Sequence, residues 1–297
     1  MSPLIESTRI PSPGHHIKFY QQCRAEWTKL RSVRSTWVSL GLIVLISLGL
    51  SALISLVTAQ AWTPSASLQD RLQYDPVRTA QAGILVAQFV VGVLGVLIVS
   101  SEYSTGSIHT TLSSVTHRPS VIYAKALVLS VTLLVVGELT ALASSFISRE
   151  VLLSHGGRLV SHDSPAIQAT SKFVPVLSLS APGVLQATLL AGVYITLLAL
   201  CALGLGFLLR STAGAISLFV GVLLVLPIIV SMLPQSITSH FNAYLPNSLG
   251  SAMMVVTLRH NAYGANFLSP LNAFLVLSAY ALVILGAATY RLVRSDA

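Results

Sequence analysis

The chain has 297 residues, of which 54% are hydrophobic and only 9% are charged, and its formal net charge is +8. A soluble domain usually carries about a quarter charged residues, so this chain has too few charges to cover a water-facing surface of its size. Lipid is therefore expected to be its main solvent. The basic residues crowd beside hydrophobic stretches, where anionic headgroups attract them. This placement disfavours nucleic acid as a partner and favours membrane lipid.

The first 36 residues predict a cytoplasmic N-terminal segment that contains an amphipathic helix. Apolar residues recur there at spacings of three and four, the pattern of one helix face, at Ile17, Tyr20, Cys23, Trp27, Leu30, Val33 and Trp37. Most basic residues of the segment lie on other faces. A basic amphipathic helix before a span is expected to lie along the membrane surface. Periodicity alone favours a simple anchor over a docking surface for a cytoplasmic partner.

Residues 37–297 predict one all-α membrane domain with six spans, because a span needs about 20 largely apolar residues. The qualifying stretches are about 37–61, 79–100, 121–147, 183–209, 212–233 and 270–290. With the N-terminus inside, eleven of the 17 Lys and Arg residues fall on the cytoplasmic side and six on the other. This bias predicts that both termini are cytoplasmic.

Two connections between spans have a pattern of their own. In segment 234–269, a moderately apolar stretch runs from Gly250 to Leu258. It is too short to cross a bilayer and predicts an interfacial or re-entrant helix. In the loop 101–123, Ile108, Leu112 and Val115 share a helical stripe, which predicts a short helix parallel to the membrane. The pattern fits a solvated loop and a contact surface equally well.

Several short motifs resemble those of the membrane subunits of the ABC type-2 exporter family. The first is the stretch from Arg24 to Ser32, RAEWTKLRS, just before span one. The second is the loop after span two, and the third is Tyr244-Leu245-Pro246 before Gly250. The loop departs from the family pattern at Ser107, where Thr is usual, at Thr116, where Pro is common, and at His109, where a basic residue is common.

The resemblance implies that the loop is a coupling helix seated on a separate ATP-binding subunit. Its coupling residues would be Glu102, Tyr103, Gly106, Ser107, Thr111, Leu112, Arg118 and Lys125. The N-terminal helix would be the family's connecting helix, with Arg24, Glu26, Trp27, Lys29 and Arg31. Two cytoplasmic ABC ATPase subunits and a second permease copy, or a related permease, would be the partners.

No enzymatic activity is expected of this chain itself. It has no G-x-x-x-x-G-K-[ST] motif to hold a nucleotide, so ATP and Mg are expected on the partner ATPase and no cofactor on this chain. Thirteen arginines against four lysines are typical of a GC-rich bacterial genome, which points to a bacterial cytoplasmic membrane. His155, His162 and Asp163 show no zinc-site spacing, and Cys23 and Cys201 predict no disulfide.

Two polar residues lie inside predicted spans. Glu138 in span three is interpreted either as part of a translocation path or helix pair, or as a carboxyl that reaches water near the outer interface. Gln88 in span two more often indicates a hydrogen bond between helices. Three functions stay open: an exporter permease, a non-transporting scaffold or sensor subunit that binds an ATPase, and a membrane enzyme acting on lipid. The enzyme is the weakest, because Glu138 stands nearly alone.

Overall fold

A computed structural model describes residues 18–62, 74–107, 119–160, 172–256 and 268–294. Within these ranges the chain is all-α except for one pair of three-residue strands, and six helices are long and apolar enough to cross a membrane. This confirms a polytopic α-helical membrane protein. Spans 1 to 6 are Arg34–Ala61, Ala82–Ser104, Pro119–Ser154, Val184–Leu209, Thr212–Ser231 and Pro270–Arg294.

The N-terminal helix, Phe19–Ser32, ends where Val33 adopts an extended conformation, and span 1 begins at the next residue. The Trp37 indole Nε1 donates a 2.9 Å hydrogen bond to the Arg31 carbonyl across this break. Tyr20 and Trp27 are exposed, whereas Glu26 is buried. The apolar stripe thus faces away from the protein and a carboxylate faces toward it, which is the arrangement expected of a helix that lies on a membrane surface.

Span 1 meets its neighbours through Leu40, Ile43 and a series of small hydroxyl side chains, and most of its other large apolar side chains are exposed. Ser47, Ser51 and Ser55 recur every four residues and are buried. The hydroxyl of Ser55 donates to Ser148 Oγ at 2.7 Å, and that of Ser51 donates to the Ser144 carbonyl at 3.0 Å, both in span 3. Small polar residues let membrane helices approach closely without leaving polar groups unpaired.

Span 4 is the central helix of the bundle, and it packs against spans 2, 3 and 6. Glycines make these approaches possible. A Cβ on Gly95 of span 2 would lie 2.7 Å from the Ala199 carbonyl oxygen of span 4, and one on Gly204 would lie 2.7 Å from Ile284 of span 6. Small residues therefore allow close packing of the helices within one chain.

Span 5 is not a continuous α-helix. It consists of Thr212–Val220, a π-helical turn at Gly221–Val225, and Leu226–Ser231. Pro227 has no N–H, so it cannot donate to the Leu223 carbonyl four residues earlier. That carbonyl instead accepts a 2.7 Å hydrogen bond from Asn247 Nδ2.

Asn247 belongs to a short helix, Pro246–Met253, between spans 5 and 6. Its eight residues are too few to cross a bilayer, so the predicted short helix is confirmed. Its position is corrected: it begins at Pro246, a favoured first residue of a helix, rather than at Gly250. Leu258, where the helix was predicted to end, lies outside the described residues.

The strand pair was not predicted. Arg158–Val160 and Pro175–Leu177 form a parallel pair in the connection between spans 3 and 4. Strands of three residues are too short to show the alternation of apolar and polar residues that marks a strand. A one-turn helix, Pro76–Ala80, lies nearby and is capped by Asp75, whose Oδ1 accepts from the amides of Val77 and Arg78.

Candidate functional site

Four charged side chains meet at one end of the bundle, and we call them the charge cluster: Glu26, Lys29, Glu102 and Lys125. Lys125 Nζ lies 2.6 Å from Glu26 Oε2 and 2.7 Å from Glu102 Oε1. Lys29 Nζ lies 3.0 Å from Glu26 Oε1 and 2.9 Å from Glu102 Oε1. Each lysine therefore contacts both glutamates, and the cluster joins the N-terminal helix to the end of span 2 and the start of span 3.

The cluster is mostly removed from solvent. The side chain of Lys125 is 1% exposed, and those of Glu26 and Glu102 are 8% and 10% exposed, whereas that of Lys29 is 44% exposed. Two carboxylates and two ammonium groups leave no net charge. Burial of charge is tolerated when the ions are paired in good geometry. Lys125 pairs closely with both glutamates, whereas Glu102 Oε2 has no hydrogen-bond partner among the described residues.

Lys29 lies on the N-terminal helix, outside the spans, and is the most exposed member of the cluster. Burial lowers its pKa, but the hydrogen bonds to Glu102 and Glu26, together with their negative charges, outweigh burial and raise the pKa above its ordinary value. The Lys29 ammonium is therefore charged at neutral pH. A protonated Lys29 keeps the two carboxylates paired on the side of the cluster that is most open to water.

Local structure explains why these residues meet. Glu26 and Lys29 are three positions apart, so they share one face of the N-terminal helix. Spans 2 and 3 run in opposite directions, which brings Glu102, near the end of one, beside Lys125, near the start of the other. The N-terminal helix packs on span 3 at this point. Residues far apart in the chain thus form one site.

A cavity of about 460 Å³ adjoins the charge cluster. It lies between the N-terminal helix, the first turn of span 1, and spans 2 and 3. Its walls are largely apolar and include Leu30, Leu94, Leu97, Ile98 and Val128. The N-terminal helix therefore contacts the bundle through its packing on span 3 and through the ionic contacts, with open space beside them.

Other predicted coupling residues lie near this end of the bundle but outside the cluster. The Tyr103 ring packs edge-on against Phe207, with 6.5 Å between ring centroids, and the Arg210 guanidinium lies 5.6 Å from its centre. Gly106 has a φ of 71°, a conformation that glycine adopts readily. The hydroxyl of Ser107 lies 3.0 Å from that of Thr105.

The structure separates the predicted residues into groups. Glu26 and Lys29 of the predicted connecting helix are in the charge cluster, whereas Arg24, Trp27 and Arg31 are exposed on other faces of the same helix. Three predicted coupling residues, Thr111, Leu112 and Arg118, lie outside the described residues, as do Ile108 and Val115 of the predicted helical stripe.

Lys125 was predicted as a residue that couples the chain to an ATPase subunit, and this stays a prediction. Its side chain is enclosed by the protein and bonded to Glu26 and Glu102. Glu102 is also buried, so neither residue presents its charge at the surface, and any effect on a partner must act through the helices that carry them.

Gln88 forms the helix–helix hydrogen bonds expected of a glutamine inside a span. The Tyr194 hydroxyl of span 4 donates to Gln88 Oε1 at 2.5 Å, and Gln88 Nε2 donates to Asn247 Oδ1 at 2.9 Å. With the Asn247 bond to the Leu223 carbonyl, this series of side chains links spans 2, 4 and 5 to the Pro246–Met253 helix. Its role in the structure is helix pairing.

Glu138 has no such partner. Its half-buried carboxyl lies against Gly192 of span 4, where an added Cβ would come 2.7 Å from the Glu138 carboxyl carbon. Oε2 is enclosed and has no hydrogen-bond partner in the part of the chain that the structure describes. The helix-pairing interpretation would require a bond from span 4, and the described residues provide none.

The described residues contain no group of three or more His, Cys, Asp or Glu side chains that could hold a metal ion. His155 contacts the Val151 carbonyl of its own helix at 2.8 Å through Nδ1, while His162 and Asp163 lie outside the described residues. Cys23 is half-buried, Cys201 is buried, and both are free thiols. The described site residues interact through ionic contacts and hydrogen bonds.

No family model matches the chain, and no curated protein matches it in sequence. The features of the chain that bear on its function are the charge cluster, the six spans and the short motifs.

Proposed function

We propose that the chain is the membrane-spanning subunit of an ATP-driven ABC exporter in a bacterial cytoplasmic membrane, with both termini in the cytoplasm. Two separate ATPase subunits bind ATP and Mg and supply the free energy, and a second copy of this chain or a related permease completes the transport path. The observation that supports this proposal is the charge cluster, because it joins the elements that such a motor would have to move.

The connection between spans 2 and 3 carries the predicted coupling segment. Span 2 ends at Ser104 and span 3 begins at Pro119, so a force on the segment acts on the two helix ends that bear Glu102 and Lys125. The cluster ties these ends to the N-terminal helix through Glu26 and Lys29. Packed helices move as units, so displacement of the segment would carry the N-terminal helix and spans 2 and 3 together.

The ionic contacts oppose separation of the N-terminal helix from spans 2 and 3. Removing one partner of a buried ion pair typically costs about 3–5 kcal/mol because a charge is left uncompensated. Moving Glu26 away from Lys125 would likewise leave a buried charge uncompensated. A force applied at this end is therefore expected to move the joined helices before it breaks the cluster, and movement is passed along the spans.

The orientation is tested by cysteine accessibility in a variant that lacks Cys23 and Cys201. Single cysteines at Ser107 and Ser180, which are exposed at opposite ends of the bundle, form a matched pair. A membrane-impermeant maleimide added to intact cells should label Ser180→Cys, and should label Ser107→Cys only after the membrane is opened. The reverse pattern would refute the proposal, since no cytoplasmic ATPase could then reach the coupling segment.

The partnership is tested by co-expression with ABC ATPases from the same genome, beginning with those encoded nearest to the gene. A stable complex with ATP-dependent transport in vesicles is expected. Lys125→Met should reduce transport while the complex still assembles, and Lys172→Met, an exposed lysine, should leave transport unchanged. A complex that hydrolyses ATP without transport would favour the scaffold or sensor function. If no ATPase co-purifies, the exporter proposal fails.

A further inference from the structure

Glu138 places a carboxyl deep within the bilayer. It lies on span 3 about 20 Å beyond Lys125, at 1.5 Å per residue. Span 3 has 36 residues, which is longer than the hydrocarbon core of about 30 Å requires, and Glu138 lies near the middle of this helix. Ionisable residues at such depth are rare and usually paired, and they commonly mark a substrate or ion pathway.

The position is shaped to hold the side chain. Gly192 of span 4 faces it, and any Cβ there would lie 2.7 Å from the carboxyl carbon and 2.8 Å from both Oε1 and the Glu138 backbone nitrogen. Only glycine leaves this space. Spans 3 and 4 therefore form a notch in which the carboxyl lies, with Gly192 as its floor.

Among the residues that the structure describes, none supplies a counter-charge or a hydrogen-bond donor to this carboxyl. Oε2 has no hydrogen-bond partner among the described residues. The basic residues of its own helix are distant: Lys125 lies about 20 Å toward one end and Arg149 about 16 Å toward the other. Span 4, Val184–Leu209, contains no Lys or Arg. The Glu138 carboxyl thus lacks, among the described residues, the hydrogen-bond partner or counter-charge that buried polar groups normally have.

The open side of the notch faces the membrane. Leu134 and Val135 precede Glu138 by one helical turn and so share its face, and they are 41% and 55% exposed. Leu189, one turn from Gly192 on span 4, is 38% exposed. The carboxyl is thus bordered by apolar side chains in contact with lipid, and a molecule dissolved in the bilayer could reach it without crossing the protein.

We propose that Glu138 and the Gly192 notch bind the ammonium group of a lipophilic amine dissolved in the bilayer. An ammonium supplies both the N–H donors and the positive charge that the notch lacks. Its alkyl body lies along Leu134, Val135 and Leu189. The inference rests on the proposed exporter function and deepens it, because it names cationic amphiphiles as the substrate class.

The test measures binding of tritiated dodecylamine to the full chain in lipid nanodiscs, with empty nanodiscs as background. Saturable binding at one site per chain is expected. Glu138→Gln keeps the size of the side chain but removes its charge, and should weaken binding about 10- to 100-fold, as for a hydrogen bond to a charged group. Gly192→Ala should also weaken binding. Glu150→Gln, on the same helix and exposed, should leave it unchanged.

A second measurement uses the wild-type chain alone. Unlabelled dodecylamine should displace the bound probe, whereas dodecanol, which has the same chain and no charge, should not. Equal displacement by both, or unchanged binding in Glu138→Gln, would overturn the proposal. Since no ATPase is present, this result is independent of the exporter test: a chain that binds amines without an ATPase partner would keep the site and lose the exporter function.

Discussion

Replacing Lys125 with methionine removes the most buried member of the charge cluster and preserves most of its apolar stem. The wild-type ammonium is 1% exposed and lies 2.6 Å from Glu26 and 2.7 Å from Glu102. Without it, two buried carboxylates share one counter-ion, the half-exposed Lys29. Because an uncompensated buried charge costs about 3–5 kcal/mol, the free energy of unfolding should fall by this amount, which raises the unfolding equilibrium constant roughly 10²- to 10⁴-fold.

A double-mutant cycle separates the ionic contact from general damage to packing. Glu26→Gln alone leaves two ammonium groups with one carboxylate, so it should also destabilise the protein. With both substitutions, Lys29 and Glu102 remain as a neutral pair. The double variant should therefore lose less stability than the two single variants combined, with a coupling free energy of about 2–3 kcal/mol, at the upper end for residues in contact.

The assay is equilibrium unfolding in mixed micelles with increasing SDS, followed by tryptophan fluorescence. Trp27 and Trp37 lie on the N-terminal helix and the first turn of span 1, so they report on the region of the cluster. Lys172→Met, an exposed lysine, serves as the control and should leave the unfolding midpoint unchanged. Additive losses, within about 0.5 kcal/mol, would show that the four charges do not act as a unit and would contradict their proposed role in opposing separation of the N-terminal helix from spans 2 and 3.

Two further substitutions test the packing of the bundle by the same unfolding assay, and a third tests the start of span 1 by limited proteolysis. Asn247→Leu removes the bonds to Leu223 and Gln88. Because such bonds within membranes average about 0.6 kcal/mol each, the free energy of unfolding should fall by about 1–2 kcal/mol. An unchanged free energy of unfolding would mean that the bonds do not hold the short helix in place. Gly92→Ala puts a Cβ into the Phe219 ring and should cost about 1–3 kcal/mol by overpacking, with partial recovery when Phe219→Leu is added; failure of this rescue would contradict the contact. Trp37→Phe deletes the bond to the Arg31 carbonyl and should increase protease cleavage at Val33, whereas Trp62→Phe, far along span 1, should not.

The six spans could be predicted because the bilayer imposes a minimum apolar length of about 20 residues on a crossing helix. Uninterrupted apolar runs of that length therefore identified all of them. The break in span 5 was missed since Pro227 lies inside such a run, and proline is tolerated in membrane helices when neighbours satisfy the freed backbone groups. The compensating residue, Asn247, lies in another segment, and no local pattern connects it to Leu223.

The charge cluster, too, could be predicted from the sequence only in part. Each member was recognised as a candidate within its own motif, but pairing between Glu26 and Lys125 depends on how the N-terminal helix packs on span 3. A usable signal was present: Glu102 and Lys125 are opposite charges at the adjoining ends of consecutive spans, where antiparallel helices bring them together. For Glu138, the sequence located a carboxyl in the membrane, but only the structure shows that Gly192 makes room for it and that no described residue donates to its Oε2.

The π-helical turn and Pro227 have a mechanical consequence for span 5. Along most of a membrane helix, bending in one direction stretches a continuous series of backbone hydrogen bonds. Between Leu223 and Pro227 that series lacks a member, and the amide of one asparagine from outside the helix replaces it. The end of span 5, from Leu226 to Ser231, can therefore tilt at the cost of the bond between Asn247 and the Leu223 carbonyl. The resistance of this helix to bending at that point depends on Asn247, which belongs to another helix.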